Sequence, residues 1–204
     1  MIRFVIQDDG LAVVTIDRPG KANALTAEML RDLTAAFRRI ADAGCRAAVL
    51  TGAGAVFSAG ADLDEARAGL ATSPEWERLS GCIGALPCLT IAALNGTLAG
   101  GAFGMALACD LRIAVPDARF FYPVMRLGFL PQPSDPARLA ALVGPARARM
   151  ILMAGQKIGA PEALAWGLID RIAAPDALMD TARALTADAL TAAPAHVAAI
   201  KAMI

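Results

Sequence analysis

Two apolar segments near the N-terminus, Arg3 to Ile6 and Leu11 to Ile16, flank Asp8-Asp9-Gly10, a pattern that predicts a hairpin. Arg18-Pro19-Gly20-Lys21 then reads as a turn. Beyond it, Met29, Leu30, Leu33, Phe37 and Ile40 recur at helical spacing. Thr26 is placed to cap that helix, Glu28 sits in its first turn, where an acid suits the dipole, and Gly44 ends it. The apolar run Ala47 to Leu50 predicts a short buried strand, and Ala53 to Asp62 a loop returning to the core. Asp64 to Ser80 is polar and helical in pattern, broken at Ser73-Pro74. Leu89 to Leu94 predicts a strand, Gly100 to Ala108 a helix of small residues, and Leu111 to Val115 and Arg119 to Phe121 two more strands. Pro131, Pro133 and Pro136 stiffen the next loop. Helical patterns follow over Arg138 to Val143, Ala146 to Met153, Pro161 to Trp166, Leu178 to Leu190 and Pro194 to Ile204.

Strand, strand, helix, repeated and then followed mostly by helix, indicates an α/β fold with crossover connections. The 204 residues carry no low-complexity stretch or linker, so one domain is expected over 1–204, with a core to about 143 and a helical region over about 144–204. Hydrophobic residues make up 57% and aromatics only 5%, so the core must be built from Ala, Leu, Val and Ile.

Composition also narrows the chemistry. Lys+Arg and Asp+Glu balance at 19 each, and no basic stripe appears, which argues against a nucleic-acid partner. His196 is the only histidine, which argues against a catalytic histidine and against a multi-histidine metal site, and it reads as a surface or interface residue; no metal is expected. Cys45, Cys82, Cys88 and Cys109 show no CxxC spacing and read as reduced, mostly buried thiols of a cytoplasmic protein. The N-terminus lacks a signal-peptide pattern, and the apolar stretch from Leu86 to Val115 is too interrupted by Asn95, glycines, Asp110 and Arg112 to span a membrane. Thr51-Gly52-Ala53-Gly54 follows a predicted strand, but the third glycine of a dinucleotide fingerprint is replaced by Phe57.

Two glycine-bearing turns carry the chemistry: Phe57-Ser58-Ala59-Gly60-Ala61-Asp62 and Asn95-Gly96-Thr97-Leu98-Ala99-Gly100-Gly101-Ala102. Each follows an apolar run and leads into a helical one. Backbone N–H groups aimed at one point from two such turns would hold a carbonyl oxygen as it gains negative charge. In order along the chain, Asp17-Arg18-Pro19, Asn23-Ala24-Leu25, the two turns, Cys109-Asp110-Leu111-Arg112, Leu127-Gly128 with Pro131, and Ala163 to Asp170 resemble the crotonase (enoyl-CoA hydratase/isomerase) superfamily. That resemblance implies a spiral of β-β-α units, an acyl-CoA thioester as substrate with CoA as its only cofactor-like part, and assembly as a homotrimer or hexamer.

The resemblance also implies that the N–H groups of Ala61 and Gly101 form the oxyanion hole, with the oxygen about 2.7–3.1 Å away. Gly101 would open a helix, where free N–H groups and the dipole favour an anion. Lys21, Ala22, Ala24, Ala59, Asp62 and Leu63 would line the CoA path, with Gly100, Phe103, Gly104 and Val124 near the acyl group. The hydratase pattern has two glutamates, and here their positions hold Gly104 and Val124; Gln132 stands where some relatives carry an aspartate. Asp135 is the nearest acid. It reads either as a displaced acid/base whose pKa an apolar pocket would raise, or as the N-cap of a helix starting at Pro136. Tyr122 reads as a phenol near the pocket or a buried tyrosine bonded to backbone, and Phe103, Met105 and Met125 as pocket lining or core. Family members continue beyond the last helical pattern, which implies an apolar surface that needs a partner.

These residues suit an enzyme that stabilises a thioester enolate more than classical hydration. Losing a general acid–base group costs about 10²–10⁴-fold. The alternative is an acyl-CoA binder or structural subunit without catalysis.

Overall fold

The computed structural model describes residues 1–204. The hairpin forms as its alternation predicts: β1 (Ile2–Ile6) runs antiparallel to β2 (Leu11–Ile16), with Phe4 opposite Val14. In α1 (Ala27–Asp42), the Thr26 hydroxyl accepts the Met29 N–H at 3.1 Å and the expected stripe of Met29, Leu30, Leu33, Phe37 and Ile40 is buried. Gly44, at φ +63°, turns the chain back towards the sheet.

The chain then repeats one pattern. A longer strand is followed by a shorter one and then by helix: β3 (Ala47–Gly52), β4 (Val56–Ser58), α2 (Leu63–Arg67) and α3 (Glu75–Gly84); β5 (Leu89–Leu94), β6 (Thr97–Ala99) and α4 (Phe103–Ala108); β7 (Leu111–Ala114), β8 (Arg119–Phe121), α5 (Val124–Leu127), α6 (Asp135–Val143) and α7 (Pro145–Leu152). The rest comprises β9 (Ile158–Gly159), α8 (Ala160–Trp166), β10 (Arg171–Ile172), α9 (Leu178–Thr191) and α10 (Pro194–Lys201). The longer strands build a six-stranded sheet in the order β1-β2-β3-β5-β7-β10, and the short ones a second sheet, β4-β6-β8-β9. From β2 onward the large sheet is parallel. The result is the spiral of strand–strand–helix units.

Alanines at Ala47, Ala48, Ala92 and Ala93 are buried on β3 and β5, and their small side chains let the helices approach closely. Helix α3 packs between α1 and α4. Arg112, although only 3% exposed, is satisfied: its guanidinium donates to Cys109 O and Leu168 O, and its own N–H to the Asp170 carboxylate. Lys201 seats α10 by donating to Asp110 Oδ2 at 2.8 Å and Cys88 O at 2.9 Å. No helix is long and apolar enough to cross a membrane.

The structure differs from the sequence expectation at its shortest elements. Strands β4, β6, β9 and β10 and helix α5 were not expected; two to four residues carry no periodic signal. The helix expected from Gly100 opens as a 3₁₀ turn, Gly100–Ala102, before α4. The cap reading of Asp135 is corrected: α6 already includes Asp135, Ser134 is the cap position, and the carboxyl points inward instead.

Candidate active site

Buried polar side chains lock the first glycine turn. Asn23 is fully buried in the left-handed conformation at φ +53°, and its amide donates to Ala53 O at 2.9 Å and Val56 O at 2.6 Å. Ser58 Oγ donates to Asn23 O at 2.8 Å and accepts the Gly60 N–H at 3.2 Å. The Ala59 N–H reaches Ala22 O, and Leu25 exchanges bonds with Gly60 O and the Asp62 N–H. Arg18 ties the same corner by donating to Asp62 Oδ2 at 2.7 Å and Ala24 O at 3.0 Å. That contact holds the Asp62 carboxyl below the usual range. Asn95 does the equivalent for the second turn, accepting the Gly52 N–H and donating to Gly54 O.

These locks bring the two turns against each other. A methyl added at Gly60, whose φ is +92°, would lie 2.9 Å from Ala99 O and 3.5 Å from Gly101 N. The flanking bridge uses the neighbours of Ala61, so the Ala61 N–H donates to no protein acceptor. Gly101 lies in the first turn of its helix, where an N–H has no intrahelical acceptor, and no other backbone or side-chain group takes it. Both residues line one mostly apolar hollow of about 130 Å³, together with Ala59, Gly100, Trp76 and Val124. Leu63, Leu127 and Leu130 stand exposed at its rim.

The wall beside this hollow holds the one strongly perturbed acid. Asp135 is 1% exposed. Its Oδ2 accepts the Tyr122 hydroxyl at 3.0 Å, while Oδ1 has no hydrogen-bond partner. Burial raises the Asp135 pKa from 3.8 to about 7, against the lowering effects of the Tyr122 bond and Arg138. Burial, then the nearby Asp135, also pushes the Tyr122 phenol up. No three His, Cys, Asp or Glu side chains gather to hold a metal ion.

A sequence profile described as enoyl-CoA hydratase/isomerase matches residues 7–204. YngF of Bacillus subtilis, whose name carries those same words, is 38% identical over 194 residues, 91% of this chain and 74% of that protein. A carnitinyl-CoA dehydratase of Citrobacter koseri is 37% identical, over 92% of this chain and 74% of its own length. The crystal structure of an enoyl-CoA hydratase from Bacillus anthracis superposes with a TM-score of 0.91 at 30% identity, covering 98% of this chain and 80% of that one. The chain belongs to the enoyl-CoA hydratase/isomerase family.

Against that family's pattern, the structure gathers Ala59, Ala61, Leu63, Gly100, Gly101 and Val124 around one hollow. Ala22 and Ala24 brace the first turn through their carbonyls, Asp62 pairs with Arg18, and Lys21 is exposed nearby. Phe103 lies behind the lining, fully buried, with its ring stacked 5.4 Å from that of Tyr122. Gly104 is also behind it, and a methyl added there would sit 2.9 Å from Asp135 Oδ1. The carboxyl of Asp135 therefore occupies the space that a larger residue at 104 would claim. Trp76 was missed by the sequence reading. Its indole covers Gly101, where an added methyl would meet the ring at 3.2 Å, and its Nε1–H donates to Leu70 O at 2.8 Å. Only its helical spacing before Leu79 and Ile83 marked it as buried. A larger hollow of about 690 Å³ lies away from the glycine turns, between β5, β7, α9 and α10, with His196 and Lys201 on its wall.

Proposed function

We propose that this chain is an enzyme that binds a short-chain acyl-CoA and stabilises its thioester enolate with the N–H groups of Ala61 and Gly101. The single observation behind this reading is the pair of unpartnered amides on one apolar hollow. Donors already fixed in place need no reorganisation as charge develops, and each is worth about 2.7–4 kcal/mol to the transition state. The hollow is small and mostly apolar, which suits the apolar part of a small acyl group. CoA enters as part of the substrate, along the Lys21, Ala22, Ala24 and Asp62 corner, and no separate cofactor is needed.

Gly104 and Val124 offer no proton-transferring group, so addition of water across a double bond lacks its usual pair of acids. Decarboxylation of a malonyl-type thioester asks chiefly for enolate stabilisation and fits these residues better. Turnover of crotonyl-CoA, malonyl-CoA, methylmalonyl-CoA and acetyl-CoA by the purified protein tests the reading. Decarboxylation of a malonyl-type substrate well above hydration of crotonyl-CoA is expected. Rapid hydration of crotonyl-CoA would refute it. Acyl-CoA binding measured by calorimetry, with no turnover of any of the four, would favour a non-catalytic binder.

A further inference from the structure

Tyr122 is the only tyrosine of the chain, and it stands between the hollow and a sealed acid. Tyr122 is one of the residues that line the same cavity as Ala61 and Gly101. Its hydroxyl donates to Asp135 Oδ2 at 3.0 Å and accepts the Gln132 N–H at 3.3 Å. Phe103 stacks on the ring and fixes its plane. Behind it, Asp135 is closed off from solvent, with Oδ1 unpaired against the bare backbone of Gly104. A buried carboxyl with one oxygen unsatisfied is expensive to keep, and a structure that needed only packing there would be better served by an apolar side chain. Its neighbours do not neutralise it by contact. Arg138, on the next turn of α6, leaves its own Nη1 unpaired, and Glu77 of α3 spends its carboxylate on Ser134.

We infer that Tyr122 is the catalytic proton carrier of this site, with Asp135 as the positioning residue that takes up and returns the proton through it. The inference rests on the enolate reading above. In the forward step the Cα–H bond of the thioester breaks and its proton passes to Tyr122 Oη. The Tyr122 O–H proton passes at the same time to Asp135 Oδ2. The C–H electron pair becomes the enolate, whose oxygen faces the Ala61 and Gly101 amides. While the enolate persists, the Tyr122 hydroxyl exchanges its proton with water in the hollow; the reverse step then returns a solvent proton to Cα and leaves Asp135 ionised, so no other reactant is consumed. This route avoids a free tyrosinate, which the raised pKa of the buried phenol forbids at neutral pH.

Loss of deuterium from Cα-deuterated butyryl-CoA in water tests the relay, with butyryl-CoA affinity measured alongside by calorimetry. The unaltered protein should bind butyryl-CoA and wash out the label, at a rate that rises with pH through about 7 as Asp135 ionises. Tyr122→Phe should bind within about threefold and exchange at least 10²-fold more slowly, and Asp135→Asn should lose the pH dependence. A Tyr122→Phe protein that exchanges as fast as the parent, or a parent that binds without exchange, overturns the relay and leaves the enolate reading standing. A parent that does not bind butyryl-CoA overturns both. Replacing the lone tyrosine with 3-fluorotyrosine gives a second measurement that needs no cavity in the core. Its ¹⁹F resonance should titrate near pH 7 with Asp135 and move on butyryl-CoA binding, and a resonance indifferent to both would overturn the inference.

Discussion

Replacing Asp135 by Asn should make the protein more stable at pH 8 and scarcely change it at pH 4. The carboxyl is sealed in the core, with Tyr122 on one oxygen and none on the other. Its pKa in the fold is about 7, against 3.8 for the free side chain. Between those values the folded chain keeps a proton that the unfolded chain has released, so stability falls as pH rises through the window and levels off above it. Each pH unit is worth about 1.36 kcal/mol, so ionising Asp135 costs the fold roughly 4 kcal/mol by pH 8. Burial dominates this shift; the Tyr122 hydrogen bond and Arg138 oppose it, and Glu77 adds to it. Asn keeps the size of the side chain and an acceptor for the Tyr122 hydroxyl while removing the titration. Urea unfolding at pH 4, 5, 6, 7 and 8 reads the effect directly. The gap between variant and parent should open steadily from pH 4 to 7 and then stay constant. A gap that does not change with pH would refute the reasoning, because it would mean that Asp135 titrates alike in both states.

Two further substitutions or reagents test the architecture. Gly101→Ala should lose about 1–3 kcal/mol in urea unfolding, since the new methyl meets the Trp76 ring at 3.2 Å. Made in a Trp76→Leu background, the same Gly101→Ala change should cost much less than it does in the parent, because the obstruction is the indole itself. Cys109 is held inside the core and burial pushes its thiol to about 12, as it does for Cys88. Ellman's reagent at pH 8 should therefore leave both unlabelled in the native protein and label all four cysteines in urea, and rapid native labelling of Cys109 would contradict the packing.

Much of the fold can be read in residue order because its longer elements announce themselves. Thr26, the stripe from Met29 to Ile40, and Gly44 define α1 by rules that operate within a few residues, and the fold keeps each of them. Leu89 to Leu94 is likewise found as written. The second sheet was invisible because a strand such as Thr97–Ala99 has three residues, and what makes it a strand is pairing with Ser58 and Phe120 from distant parts of the chain. The same limit governs the site. Asn23, Ser58 and the glycine turns could be singled out by residue type, but the group that a side chain at Gly101 would press on, the indole of Trp76, comes from elsewhere in the chain. Asp135 followed by Pro136 has the local signature of a helix start, and local rules alone favour a cap. The deciding fact is a vacancy across the core at Gly104, which no local pattern contains.

The distribution of strands between two sheets also governs how the chain must assemble. Neighbours in sequence, β3 and β4 or β5 and β6, go to different sheets, while Ala47 pairs with Leu89 and Ile91 with Leu111. Nearly every ladder thus closes a long loop before it gains a bond, the circumstance in which folding is slow. A nascent chain that has emerged only as far as β3 presents an open parallel edge with no partner yet made. Its search for the native state therefore hinges on the late arrival of β5.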